Sequence, residues 1–189
     1  MSATGEIIRA YRGFGASMQR QVDSRPGEER LLAYVVVASL IFFVARVPAL
    51  LKLSAAASTA EISPIALFVT NLVGSFFFAP LMLYGLAALS HLVAKAFGGK
   101  GRGVDARLAL FWILLVISPL ALLSTIIQMA IPLLWVSQVL WFALFVVFAI
   151  AWGQALAVAE GFKKPFLTIA AIILTAFGVI FMFTIFIFQ

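Results

Sequence analysis

Runs of predominantly apolar residues occupy most of the chain, at about 31–53, 64–97, 106–131, 133–159 and 166–188, with polar and charged residues gathered between them. Each run supplies the roughly 20 apolar residues needed to cross about 30 Å of hydrocarbon. An open sheet is no alternative, because lipid cannot satisfy the backbone groups of a sheet edge. The pattern predicts an all-α, polytopic integral membrane protein of five transmembrane helices, preceded by a polar segment over 1–30.

Local signals sharpen this picture. Ser63 before Pro64 predicts a helix start, with a capping hydroxyl and a proline in the first turn. Pro80, inside the same span, removes a hydrogen bond, so it predicts a kink and a freed Phe76 carbonyl. That span would measure roughly 50 Å at 1.5 Å per residue, so it must tilt, bend or protrude. Ile131-Pro132 is the tightest connection and predicts an antiparallel hairpin of the third and fourth spans, while Asp105 stands where the third begins, as a cap or first-turn acid. Before the first span, Ile7, Tyr11, Phe14, Met18 and Val22 recur every three or four residues with Arg9, Arg12 and Arg20 between them. This is the pattern of an amphipathic helix on an anionic membrane face. Gly13 and Gly15 weaken such a helix and leave a disordered basic tail as the alternative.

Composition agrees with a membrane protein: 65% of the 189 residues are hydrophobic and 11% charged, against about half and a quarter in soluble domains. The absence of cysteine excludes disulfides, thiolate metal sites and cysteine nucleophiles. A net charge of +6 could suggest nucleic acid, but the Lys and Arg residues cluster in short connections, which fits topology better. Alternate sides hold eleven against two of these cations, placing the N-terminus in the cytoplasm. Five spans then put Gln189 on the far side, with no C-terminal domain. A charged stretch precedes the first apolar run, so that run is expected to remain in the mature protein rather than act as a signal peptide.

The stretch 94–105, AKAFGGKGRGVD, comes nearest to a ligand-binding motif. A phosphate-binding P-loop requires G-x-x-x-x-G-K-[ST], but Gly99-Lys100 is followed by Gly101 and the first position is Ala94. Gly101, Gly103 and Ala106 formally satisfy G-x-G-x-x-[GA], yet a membrane helix precedes them instead of a strand. No nucleotide is expected. The glycines instead predict a helix stop and sharp reversal, with Lys95, Lys100, Arg102 and Arg107 contacting lipid phosphates at about 1 kcal/mol each. A loop that docks a specific partner or headgroup is the other reading.

His91 is the sole histidine, with Ala94 and Lys95 at i+3 and i+4, so no metal site forms from its own helix. It is expected to hydrogen-bond at the interface or between helices, or to sense pH. No acid lies at membrane depth; Glu61, Asp105 and Glu160 fall at span ends, and Arg46 can snorkel outward. Asn71 and Gln128 either make interhelical hydrogen bonds, worth about 0.6–2 kcal/mol each, or line a polar path together with Ser75. Ala149, Gly153, Ala157 and Gly161 recur at four-residue spacing and predict a close helix-packing face, against a helix of this chain or of a partner.

The run Tyr84-Gly85-Leu86-Ala87-Ala88-Leu89-Ser90-His91-Leu92, the turn Gly98-Gly99-Lys100-Gly101 and the run Ala106-Arg107-Leu108-Ala109-Leu110-Phe111-Trp112 resemble those of a bacterial member of the Yip family, five-span proteins named for interacting with Ypt/Rab GTPases. The likeness covers about residues 31–175. It is nearest to short alphaproteobacterial versions, which share Phe43-Val44-Ala45 with a proline shortly after. The resemblance implies five helices in the bacterial inner membrane, a cytoplasmic N-terminus and a C-terminus on the periplasmic side. Eukaryotic members of the family act in vesicle traffic, but the chain lacks their Asp-Leu-Tyr-Gly-Pro motif and long soluble N-terminal region, so Rab binding is not carried over.

The sequence therefore favours a non-enzymatic membrane protein, without cofactor or metal, that associates with lipids and with other membrane proteins or itself. A small transporter, channel or lipid-translocating protein using Asn71, Ser75 and Gln128 is the alternative, although neither buried charge nor an inverted repeat supports it. No nucleophile and base or paired carboxylates can be assembled at membrane depth for an enzyme. A continuous polar cavity reaching Asn71 and Gln128 would point to transport, and an exposed Ala149, Gly153, Ala157, Gly161 face to association.

Overall fold

The structure, a computed structural model, describes residues 3–57 and 63–162. Among these the fold is all-helical, without strands: α1 (Ala3–Ala10), α2 (Phe14–Asp23), α3 (Glu28–Ala57), α4 (Pro64–Val73), a π-helical turn at Gly74–Phe78, α5 (Ala79–Ala96), α6 (Gly103–Ala130) and α7 (Leu134–Glu160). Four segments are long and apolar enough to cross a membrane: Glu28–Ala55, Ile65–Ala96, Gly103–Ala130 and Leu134–Glu160. The fifth apolar run, at 166–188, lies outside the described residues, as do Glu61, Lys163 and Lys164.

These four segments alternate in direction. One end of the bundle, here termed the loop end, gathers the starts of α3 and α6 and the ends of α5 and α7.

The centre of the bundle is the loop-end half of α6. Every residue from Leu108 to Ile113 is buried, so this stretch is enclosed on all sides; a helix that is apolar all round needs such an enclosure. α3, α5, α7 and α2 supply it. Tyr34 of α3 lies 5.2 Å from the Trp112 ring, and Tyr84 of α5 lies 4.9 Å from the Phe111 ring. The far half of α6 is barer, with Leu123, Ile126 and Met129 exposed.

Proline sites are handled locally. Pro119 deprives the Leu115 carbonyl of its helical donor, and the Ser118 hydroxyl donates to that oxygen at 2.9 Å. Ahead of Pro80 the span holds a π-helical turn, in which the Ala79 N–H reaches the Gly74 carbonyl five residues back. Just ahead of the proline expected to kink the span there is thus a π-bulge, one of the recognised causes of helix bending. The Ser63 hydroxyl makes no capping bond at the start of α4, where only its carbonyl is used, accepting from Leu67 N–H at 3.1 Å.

The N-terminal segment departs from a single helix lying on lipid. It breaks at Tyr11–Gly13 into α1 and α2, and its apolar stripe turns inward: Ala10 and Met18 are fully buried, and Ile7, Phe14 and Val22 pack against the core. Polar anchors hold it there. Trp112 Nε1 donates to Ser17 Oγ at 3.1 Å, Tyr34 Oη donates to Gln21 Oε1 at 3.0 Å, and Tyr11 Oη donates to the Val116 carbonyl. Burial raises the Tyr11 pKa above its ordinary value. The chain's own helices offer α1 and α2 both an apolar surface and hydrogen-bond partners, which a headgroup layer cannot match in geometry.

Candidate functional site

At the loop end, α5 and α7 terminate side by side in the same way. Gly98 takes φ 87°, Gly98 N–H donates to the Lys95 carbonyl at 3.0 Å and Gly99 N–H to that of Ala94 at 2.8 Å. Gly161 takes φ 73°, Gly161 N–H donates to the Val158 carbonyl at 3.2 Å and Phe162 N–H to that of Ala157 at 2.8 Å. Both are Schellman caps, which place glycine in the left-handed region just past the helix.

Glu160, the last residue of α7, joins the two ends. Lys100 N–H donates to its carbonyl at 2.9 Å and Gly101 N–H to its Oε2 at 3.1 Å, while Oε1 lies 2.5 Å from Nδ1 of His91. The Glu160 side chain is fully buried and that of His91 is 17% exposed. A carboxyl group so deep in a protein requires hydrogen-bond partners to offset its desolvation, and the His91 imidazole and the Gly101 amide supply them. Neighbouring pairs complete the junction. Asp105 accepts from the Arg102 backbone N–H at 3.3 Å and from both arms of its guanidinium at 3.0 and 3.1 Å. The hydrogen bond first, and then the charge of Asp105, raise the Arg102 pKa above its usual value. Arg107 pairs with Glu28 of α3 at 2.7 Å and lies over the Tyr84 ring.

The glycines of the loop serve two different purposes. Gly98 needs its left-handed backbone, whereas Gly99 and Gly101 are required by proximity. A Cβ on Gly99 would sit 2.7 Å from Glu160 Oε2, and one on Gly101 would collide with the Ala159 carbonyl. Thus His91, Gly99, Lys100 and Gly101 converge on Glu160, a buried acid of another helix, while Gly98 makes the turn that brings the loop there.

The cations expected at lipid phosphate divide. Lys95 and Lys100 are exposed, with no ion-pair partner among the described residues. Arg102 and Arg107 are already engaged by Asp105 and Glu28, so their charge is partly neutralised within the chain. The small-residue stripe divides as well. Ala149, Gly153 and Ala157 are buried within the chain, but Gly161 is exposed and in the left-handed region, serving as a cap. A stripe already covered offers no open face to a partner.

A second feature lies farther along the bundle. α3, the π-turn with α5, α6 and α7 surround a half-open cavity of about 440 Å³. Its wall is mainly apolar, including Phe42, Phe43, Leu83, Leu114 and Leu144, with Ser39, Arg46, Ser75, Ser124 and Thr125 as polar points. Thr125 Oγ1 donates to the Ala45 carbonyl of α3 at 3.0 Å. Of the expected polar path, Ser75 lines this cavity, while Asn71 and Gln128 do not. The Asn71 amide donates to the Leu67 carbonyl of its own helix at 2.9 Å. The described residues contain no group of three or more acids and histidines that could hold a metal ion.

Glu160 and Arg46 are the residues that sequence reasoning undervalued. An acid between an apolar run and a glycine, on the same predicted side as the lone histidine, was a usable signal for Glu160. For Arg46 the signal was its register with Ser39, seven residues earlier and hence on the same helical face. No protein-family model, curated protein or solved structure matches the chain.

Proposed function

We propose that the protein is a non-enzymatic, Yip-like multi-pass protein of the bacterial inner membrane that associates with lipids and with other membrane proteins or a second copy of itself. The observation that carries this reading is the bareness of the second apolar segment. Ile65, Phe77, Phe78, Leu81, Met82 and Leu92 are all more than half exposed, a surface that only lipid or another membrane helix can cover favourably. The basic loop end faces the cytoplasm in this reading, supported by the positive-inside distribution and by free Lys95 and Lys100 beside anionic headgroups.

Because the chain has no cysteine, single introduced thiols test the orientation cleanly. Lys100→Cys is expected to resist a membrane-impermeant maleimide in intact cells, and Leu133→Cys to react. The opposite pattern would invert the topology. A photoreactive residue replacing Leu81 is expected to crosslink in native membranes to a discrete protein, giving a band heavier than the chain. Labelling of lipid alone along the whole α4–α5 face would remove the protein-association half of the proposal.

A second reading, a small transporter or lipid-translocating protein, is favoured by the cavity beside Ser75. It is weakened by Asn71 and Gln128 standing outside the lining.

A further inference from the structure

We infer that the cavity beside Arg46 is a binding site for a membrane phospholipid, with the phosphate held by the Arg46 guanidinium and an acyl chain lying along the apolar wall. This deepens the lipid-association reading and rests on the bundle being membrane-embedded.

The volume, about 440 Å³, falls within the roughly 300–1,000 Å³ of ordinary ligand sites. Its chemistry is that of an amphiphile's complement. Phe42, Phe43, Leu83, Leu114 and Leu144 form the apolar wall, and a single cation stands among hydroxyls. Arg46 lines the cavity and is nevertheless exposed, which puts it at the mouth, and no acid among the described residues pairs with it. Trp141 shares that mouth and is 62% exposed; indoles of this kind favour the headgroup level of a bilayer.

Depth agrees. Arg46 lies 18 residues after Glu28, or about 27 Å along a helix rising 1.5 Å per residue. With Glu28 near one interface, the guanidinium can reach the opposite headgroup layer, where phosphate is the abundant anion. A planar guanidinium binds phosphate in bidentate fashion. The hydroxyls of Ser39 on α3, Ser75 on the π-turn and Ser124 and Thr125 on α6 add polar points along the same wall. A lipid phosphate in that layer would neutralise the Arg46 charge while its tail fills the cavity.

The test uses the full chain in mild detergent, stripped of lipid and titrated under native mass spectrometry. The probes are phosphatidylglycerol, diacylglycerol with the same acyl chains, and inorganic phosphate. One phosphatidylglycerol per chain is expected, at least tenfold tighter than diacylglycerol, with inorganic phosphate failing to compete at millimolar concentration. Arg46→Gln is expected to weaken phosphatidylglycerol roughly ten- to hundredfold, the worth of a charged hydrogen-bonded contact, while Lys52→Gln leaves it unchanged. Equal binding of diacylglycerol, or equal loss in Lys52→Gln, would overturn the site. So would competition by inorganic phosphate alone.

If Arg46→Gln does not fold, the wild-type comparison of the two lipids still decides. A photoreactive residue replacing Leu83 is expected to capture lipid, and crosslinking solely to residues 163–189 of the same chain would make the cavity an internal packing surface. Failure here with the expected thiol accessibility intact would remove the lipid site and leave the membrane topology standing.

Discussion

His91→Ala is expected to destabilise the folded protein by about 2 kcal/mol, because it leaves the buried Glu160 carboxyl group without its imidazole partner. Leaving a buried polar group unpaired costs about 1–3 kcal/mol. The middle of that range applies, since Gly101 N–H remains on Oε2 and His91 is itself slightly exposed. Glu160→Ala alone removes the charge but also the anchor of the loop. The double variant, lacking both, should lose clearly less than the two singles summed, with a coupling of roughly 0.5–3 kcal/mol as for residues in direct contact. Denaturant titration of the four proteins in detergent measures this cycle. Strict additivity would mean that the contact between α5 and α7 carries no stability. The functional consequence follows from position, since the same junction holds the segment that presents Lys95 and Lys100.

A graded response is expected along the glycine loop, with Gly101→Ala the most severe. The new methyl would overlap the Ala159 carbonyl and approach Glu160 Oε2 at 2.9 Å. Neither neighbour is a flexible side-chain tip: one is backbone, the other is pinned by His91. Relief requires the loop to move off α7, breaking the Lys100 and Gly101 amide bonds to Glu160, so the loss should exceed about 2 kcal/mol. Gly98→Ala meets nothing within 4 Å and suffers its positive φ alone, costing about 1 kcal/mol. Gly74→Ala and Gly85→Ala also meet nothing within 4 Å, and sit in helical segments without positive φ. They should be neutral or gain up to about 1 kcal/mol. Thermal unfolding in detergent ranks the series. A Gly101→Ala protein as stable as Gly98→Ala would refute the proximity argument.

Both expectations turn on contacts between residues 59 and 69 positions apart, and this separation explains what the chain hides. Ala94 and Lys95 stand at i+3 and i+4 of His91, and its partner is on α7, where spacing along one helix does not reach. The loop glycines announced a reversal through their backbone freedom, and Gly98 uses it. The demand for glycine at 99 and 101 comes from a neighbour that the local sequence does not mention. Similarly, the four-residue spacing from Ala149 to Gly161 was read as one face. Its last member proved to be a cap, because a periodic pattern does not mark where a helix ends.

Hydropathy alone determined that the described residues form long apolar helices, since continuous apolar runs of this length, without the alternation of a barrel strand, meet lipid with their backbone groups paired only as helices. It also determined where those helices turn, through Gly98-Gly99 and Pro132, and that loop-end cations gather on one side. The tertiary structure decided which of several uniformly apolar runs becomes the centre, because such runs carry no amphipathic signal to rank them. It turned the stripe of Ile7 to Val22 inward upon α6 and α7, brought His91 to Glu160, and grouped Ser39, Ser75 and Thr125 with Arg46 around one cavity. Each of these depends on side chains from different helices meeting at distances of a few ångströms, and periodicity along a single helix holds no record of its neighbours.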